Sequence, residues 1–282
     1  MCLADGMNVG RLSPVQETAM ATEYARALDS RSPHSILGDT LADEVVAKID
    51  YDFAGLGVMP SVVGLVALRA KMLDDRIRAF VAEHPDAVVV DLGAGLDSAV
   101  FRVDPPPTVD WYSLDLPAMV ALRDAVLPRR DRSHSVAASL SEPGWADAIP
   151  ADRPTIVVAD GLFPFLSEPV VVAILRHITD RFGSGMIAFN DYGTVGRLNR
   201  VARRATTRKR MFRTMYSQWR FGGFKDAHRP EAWNPDLTLV EEASVVHEPE
   251  VALFPPLLRL GSRIGARVPA IARTARVLQY RF

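Results

Sequence analysis

The chain has 282 residues, 48% hydrophobic and 24% charged, a globular profile with enough length to bury a core without covalent staples. Its single cysteine, Cys2, excludes an internal disulfide and a zinc site built on cysteines. The net charge of −1 hides an asymmetry: residues 1–190 hold 16 basic and 26 acidic side chains, whereas residues 191–282 hold 17 and 8, an imbalance that can mark an anionic partner.

At the N-terminus, Asp5 and Asn8 interrupt the one apolar stretch, so no signal peptide is read there. No apolar run approaches the length of a membrane span, and a reducing cytoplasm without membrane contact is the expected address. From Ser13 to about Glu83 the pattern predicts helices. "SPVQETAMATEYARALDS" opens on a Ser-Pro start signal, "DTLADEVVAKIDYDF" holds one short helix, and "SVVGLVALRAKMLDDRIRAFVAEH" keeps apolar residues at three- and four-residue intervals.

Strands and helices then alternate. "AVVVDLG" reads as a strand, "LDSAVFRV" as a turn of helix, and "DWYSLDLP" as a strand ending at Asp115. "PAMVALRDAVL" starts a helix on proline, where the missing N–H is harmless. "HSVAASL", "PTIVVADG" and "GMIAFND" are three further strands, and Ser167 caps the helix "SEPVVVAILRHITDRF". Helices between strands imply a parallel sheet with crossover connections. Past Asp191, "YGTVGRLNRVARRATTRKRMFRTMYSQWRFGGF" is basic and aromatic, and is read as a helical insertion or lid. "DLTLVEEASVVH" and "ARVLQYRF" return to strand alternation. The expected organisation is one structural domain: a helical cap at 1–84 and a core at 85–282, with the lid inserted at about 192–234.

The run "VVVDLGAGLDSAVFRV" carries the first chemical signal. Gly93 and Gly95 end a strand where the lack of a side chain lets backbone approach a ligand, and Asp115 ends the next strand 20 residues after Gly95. A dinucleotide and S-adenosylmethionine both use such an arrangement. A dinucleotide turn wants a third glycine; here Gly93-Ala94-Gly95-Leu96-Asp97-Ser98 lacks it, and Asp97 puts negative charge where pyrophosphate would lie. Adenosylmethionine offers an ammonium and a sulfonium instead, and Asp91 and Asp97 suit a cation. Each acid alone could equally be a cap, a first-turn acid or a turn residue.

With those residues in view, the chain resembles the leucine carboxyl methyltransferase family, in particular its bacterial polyketide-type O-methyltransferase branch. The matching text is "TEYARALDSRSPHSILGDTLADEVVAKIDYDF", "LVALRAKMLDDRIRAF", "VVVDLGAGLDSAVFRV", "WYSLDLPAMVALR", "PGWADAI" and "VVADGLFPFLSEPVVVAIL". The resemblance implies an α/β class I methyltransferase fold, Rossmann-like, with seven strands and the last one antiparallel. It also implies S-adenosylmethionine as cofactor, S-adenosylhomocysteine as product, and no metal. Cofactor-binding roles carry over to Arg69, Asp91, Gly93, Gly95, Asp115, Leu116, Ser139, Leu140, Asp160 and Gly161. Arg69 would hold the methionine carboxylate, as a guanidinium fork can, and Asp115 the ribose. Ser139 stands where the family usually has Asp, and Asp160-Gly161 where it commonly has Glu-Gly.

Methyl transfer mainly requires a well-placed nucleophile. A carboxylate is already ionised at neutral pH, whereas a phenol wants a base. No histidine lies in a matched motif, which leans toward carboxyl methylation of a small molecule or carrier-bound acyl chain. Asn190, Asp191, Tyr192 and His228 are placed around the acceptor, with Tyr216, Trp219, Phe221 and Phe224 as a candidate aromatic wall, or else packing for the lid. Eight basic residues from Arg197 to Arg213 read first as a solvated helix, then as an anion site, and last as a nucleic-acid surface. Two rival functions stay open: a methyltransferase-fold protein that binds ligand but has lost or redirected transfer, and a nicotinamide-dependent oxidoreductase.

Overall fold

Residues 7–8, 12–193 and 217–282 are described by the structure, a computed structural model. The helical region comes first. Helix α1 (Pro14–Ser30) begins with a capping box, in which the Ser13 hydroxyl accepts from the Gln16 amide while the Gln16 side chain accepts from the Ser13 amide. Helices α2 (Ala42–Ala47) and α3 (Pro60–Glu83) follow, and α1 packs against both. A two-residue parallel pairing of Met7–Asn8 with Ile49–Asp50 was not expected from the sequence.

The core alternates as its pattern predicts: β1 (Val88–Leu92), α4 (Ala99–Val103), β2 (Asp110–Asp115), α5 (Pro117–Val126), β3 (Ser133–Ala137), β4 (Thr155–Ala159), α6 (Glu168–Arg181) and β5 (Gly185–Asp191). Ser167 does hold the N-cap position of α6, but its hydroxyl makes no cap bond. After α7 (Arg229–Trp233) come β6 (Thr238–Ser244), α8 (Pro256–Gly265), α9 (Pro269–Ala272) and β7 (Arg276–Arg281). The strand order is β3-β2-β1-β4-β5-β7-β6, and only β7 runs against its neighbours. The order reverses at β1, where the chain steps across to β4. The carboxyl ends of β1 and β4 therefore border a crevice.

β1 reads as an unbroken β-branched run because both of its faces are covered. Val88, Val90 and Leu92 pack with Ile174, Leu175 and Ile178 of α6, while Val89 packs with Leu68, Met72 and Ile77 of α3. Strand β6 forms an edge, kinked by a bulge between Leu239 and Glu241 and fronted by Glu241 and Glu242, which discourages further pairing. Phe221 and Phe224 are buried in the sheet core with Trp233 nearby, so they serve as packing. Tyr216 and the basic run 197–213 lie outside the described residues.

Candidate active site

The crevice at the carboxyl ends of β1, β2 and β4 opens into a cleft of about 940 Å³, solvent space included. Its floor is the turn after β1. Gly93 (φ +68°) and Gly95 (φ +52°) both take left-handed backbone, which glycine adopts without a Cβ penalty. The turn is clamped on three sides. Amides of Gly93 and Ala94 donate to the Leu114 carbonyl at 2.8 and 3.0 Å. The Gly95 amide donates to Asp115 Oδ2 at 2.7 Å, and the Leu116 amide donates to Asp115 Oδ1 at 2.7 Å. From beneath, Arg123 Nη1 donates to the carbonyls of Gly95 (3.2 Å) and Asp97 (2.6 Å). Asp115 thus ties the turn while its remaining lone pairs face the cleft.

The two acids flanking the glycines differ completely. Asp97 accepts from Arg102 Nη1 at 2.5 Å and Arg26 Nη1 at 3.2 Å. Burial alone would raise its pKa, but the two guanidiniums outweigh that and hold it far below the usual carboxylate range. Asp97 lines the cleft, but its charge is already met by these two guanidiniums. Asp91 is 5% exposed, lines the cleft and makes no hydrogen bond among the described residues. Burial first, and the Asp97 charge second, push its pKa up to about 7.

On the opposite wall, Arg69 of α3 reaches Asp160 with Nε–Oδ1 at 2.9 Å, an ion pair without the alignment of a hydrogen bond. Its Nη1 donates to the Tyr192 hydroxyl, which also accepts from Asn190 Nδ2 at 2.7 Å. Asn190 Oδ1 in turn accepts from the Gly161 amide at 2.5 Å. Gly161 is left-handed (φ +71°), and a Cβ there would come within 3.1 Å of Arg69 Nη2. A glycine is what lets the guanidinium lie against this turn. Burial works against the Arg69 charge, yet Asp160 and Tyr192 more than compensate and its pKa is raised. Burial likewise raises the Tyr192 phenol, keeping it protonated.

Of the residues singled out from the sequence, Arg69, Asp91, Gly93, Gly95, Asp97, Asp115, Leu116, Asp160, Gly161 and Tyr192 line this one cleft. Asn190 stands behind Tyr192 and lines a smaller adjoining cavity with Trp219 and Phe221. Ser139, half-buried, and Leu140, packed against the core, are not among the lining residues. His228 is exposed, with Nδ1 2.7 Å from Glu231 Oε2, and also lies off the cleft. Asp191 is off the main cleft but also lines that adjoining cavity; Arg276 pairs with it at 2.9 Å, and the amides of Gly193 and Phe224 donate to it. Among the described residues of the proposed aromatic wall, Trp219 lines the cleft, its ring 5.3 Å from that of Tyr192.

One contributor escaped sequence reasoning: the face of α1 made by Val15, Thr18, Ala19, Thr22 and Arg26 lines the cleft. Their helical spacing was available as a signal. Arg26 is buried between Glu23 (2.7 Å) and Asp97.

This strand order, with an antiparallel β7 and the cleft at the switch point, is that of class I methyltransferases. Two solved structures share it: a DUF574 family protein from Streptomyces avermitilis (TM-score 0.55, 15% identity, 93% of this chain and 99% of that one) and the plantazolicin methyltransferase BamL (TM-score 0.52, 10% identity, 95% and 98%), the latter solved with SAH. The leucine carboxyl methyltransferase family matches residues 19–179, and the chain belongs to that family. Among its relatives are the tetracenomycin polyketide synthesis O-methyltransferase TcmP of Streptomyces glaucescens, 42% identical over 180 residues (64% of this chain, 67% of the relative). The S-adenosyl-L-methionine-dependent methyltransferase dpfgK of Gibberella zeae is 30% identical over 203 residues (65% and 68%).

Proposed function

We propose that the protein is an S-adenosylmethionine-dependent O-methyltransferase acting on a carboxylate of a small molecule or carrier-bound acyl chain, in the cytoplasm of a bacterium and within secondary metabolism. What carries the cofactor half of this reading is Asp91: a buried carboxylate without a hydrogen bond or ion pair, beside two left-handed glycines, is a place for a cation. The donor set fits adenosylmethionine from end to end. Arg69 takes the amino-acid carboxylate, Asp91 the ammonium, and Asp115 the ribose hydroxyls, with Leu116 and Met119 offering an apolar side to the base. When bound, the cofactor supplies a methyl group on a positively charged sulfur.

The acceptor half rests on Tyr192. Its oxygen accepts from both Arg69 and Asn190, so its own proton is left to donate elsewhere, and its raised pKa keeps that proton in place. A fixed neutral donor on the cleft wall is suited to orienting an ionised carboxylate oxygen, which needs no base. The N-terminal helical region acts as a cap whose α1 face lines the cofactor end.

Calorimetry with adenosylmethionine, adenosylhomocysteine and NAD tests the first half. Binding of the first two is expected, and tight binding of NAD alone would overturn the reading. A panel of carboxylic acids and phenols tests the second: methyl esters are expected, and transfer to phenols only would redirect it.

A further inference from the structure

Nine large apolar side chains are exposed among the described residues, and six of them fall between β6 and β7: Leu253, Leu257, Leu260, Ile264, Val268 and Ile271. This is not scattered surface. Leu257, Leu260 and Ile264 share one face of α8 at helical spacing, with Leu257 85% exposed. Arg263, Arg267 and Arg273 are exposed around them, and Arg259 is half-buried on the same helix. From Val251 to Phe282 the chain has six arginines and no acidic residue. Two acids close to the segment are engaged: Glu250 with Lys71 at 3.1 Å, and Glu242 with Arg276 at 2.5 Å.

The patch sits at a defined place. Ser244 ends β6 and Arg276 begins β7, and Arg276 pairs with Asp191 at the carboxyl end of β5. The returning chain touches the cleft's neighbour, since a Cβ on Gly193 would lie 2.3 Å from the Arg273 carbonyl oxygen. The apolar face therefore stands on the same edge of the sheet as the mouth of the active site.

We infer that the Leu253–Ile271 segment is an interfacial element that seats the protein on an anionic lipid surface. Charge argues against a second copy as the occupant, because a two-fold pairing would set one acid-free, arginine-flanked patch against another. Side-chain type favours lipid over a protein groove. The ridge is made of Leu, Ile, Val and Pro, whereas protein hot spots are built on Trp, Tyr and Arg and are poor in Leu and Val. A short amphipathic helix with protruding aliphatic side chains and a basic flank is the form that enters the headgroup region. The inference rests on this surface and is independent of the reaction catalysed.

The test is co-sedimentation of the full chain with vesicles of neutral phosphatidylcholine and of phosphatidylcholine mixed with phosphatidylglycerol. Binding to the mixed vesicles alone is expected, and it should weaken as salt rises. The triple variant Leu257→Ser, Leu260→Ser, Ile264→Ser keeps every charge, and its substitutions are at exposed positions. It should keep the wild-type melting temperature while its partition falls on the order of tenfold or more. Arg263→Gln with Arg267→Gln should lower partition roughly tenfold. No binding by wild type, or unchanged binding by the triple variant, overturns the inference. A dimer dispersed by the triple variant, or capture of an acidic protein with no vesicle binding, overturns it as well.

Discussion

Asp91 and Asp97 stand on either side of one glycine turn, are equally buried, and live in opposite electrostatic states. Asp97 belongs to a closed network. Arg102 holds it together with Asp39 (2.8 Å) and Asp74 (2.8 Å), and Arg26 links it to Glu23. Asp91 makes no hydrogen bond or ion pair among the described residues; the Arg123 charge favours its ionised form but does not outweigh burial. The network joins the helical cap to the core, and the lone acid is left for whatever enters the cleft. Burial by itself does not make a carboxylate functional; a missing counter-ion does.

The largest test of this contrast removes the guanidinium at its centre. Arg102→Leu leaves Asp39, Asp74 and Asp97 buried without it, and should lower stability by about 3–5 kcal/mol in urea unfolding. A loss below about 1 kcal/mol would show that the network is not what joins cap to core.

Asp91→Asn should do the reverse. Its folded pKa of about 7 lies above that of a free carboxyl, so the wild-type side chain favours folding most below about pH 4, and that contribution is lost as pH rises through 7. The variant should therefore be more stable than wild type at pH 8, by no more than about 4 kcal/mol, with the difference vanishing near pH 4. Adenosylmethionine binding should respond oppositely. Wild-type affinity should rise between pH 6 and pH 8 as Asp91 ionises, and the variant should bind more weakly with a flat profile. An unchanged profile in calorimetry would remove Asp91 from the cation site.

Asp115→Ala deletes the acceptor for the Gly95 and Leu116 amides and the proposed ribose contact, and should weaken cofactor binding roughly tenfold or more. Smallest of all, Tyr192→Phe removes one oriented donor. It should raise KM for the acceptor roughly fivefold while cofactor affinity changes less. Equal losses in both would place Tyr192 on the cofactor side.

The glycine turn, the strand-end position of Asp115 and the proline-started helices were all legible in the chain, because each is a local demand on a few consecutive residues. The α6 cap shows how far that reach extends: Ser167 was correctly placed, but whether its hydroxyl bonds depends on a rotamer the pattern does not encode. Asp191 looked like a site acid for the same reason that Asp115 did, since both end a strand. Arg276, 85 positions later, takes it out of play. Arg26 was overlooked because its partner Asp97 lies 71 residues away. The aliphatic face of α8 has the spacing of a core helix, and only its exposure in the folded chain turns it outward.

The sequence by itself determined the alternation of strands and helices, the left-handed turns and the membership of a methyltransferase family, since all of these are written in short-range spacing. Tertiary structure alone decided which buried carboxylates are held in ion pairs and which lies outside them. Coulomb pairing acts through space between side chains that are distant along the chain, and only folding brings arginines into ion pairs with some of the acids and leaves Asp91 outside those pairs.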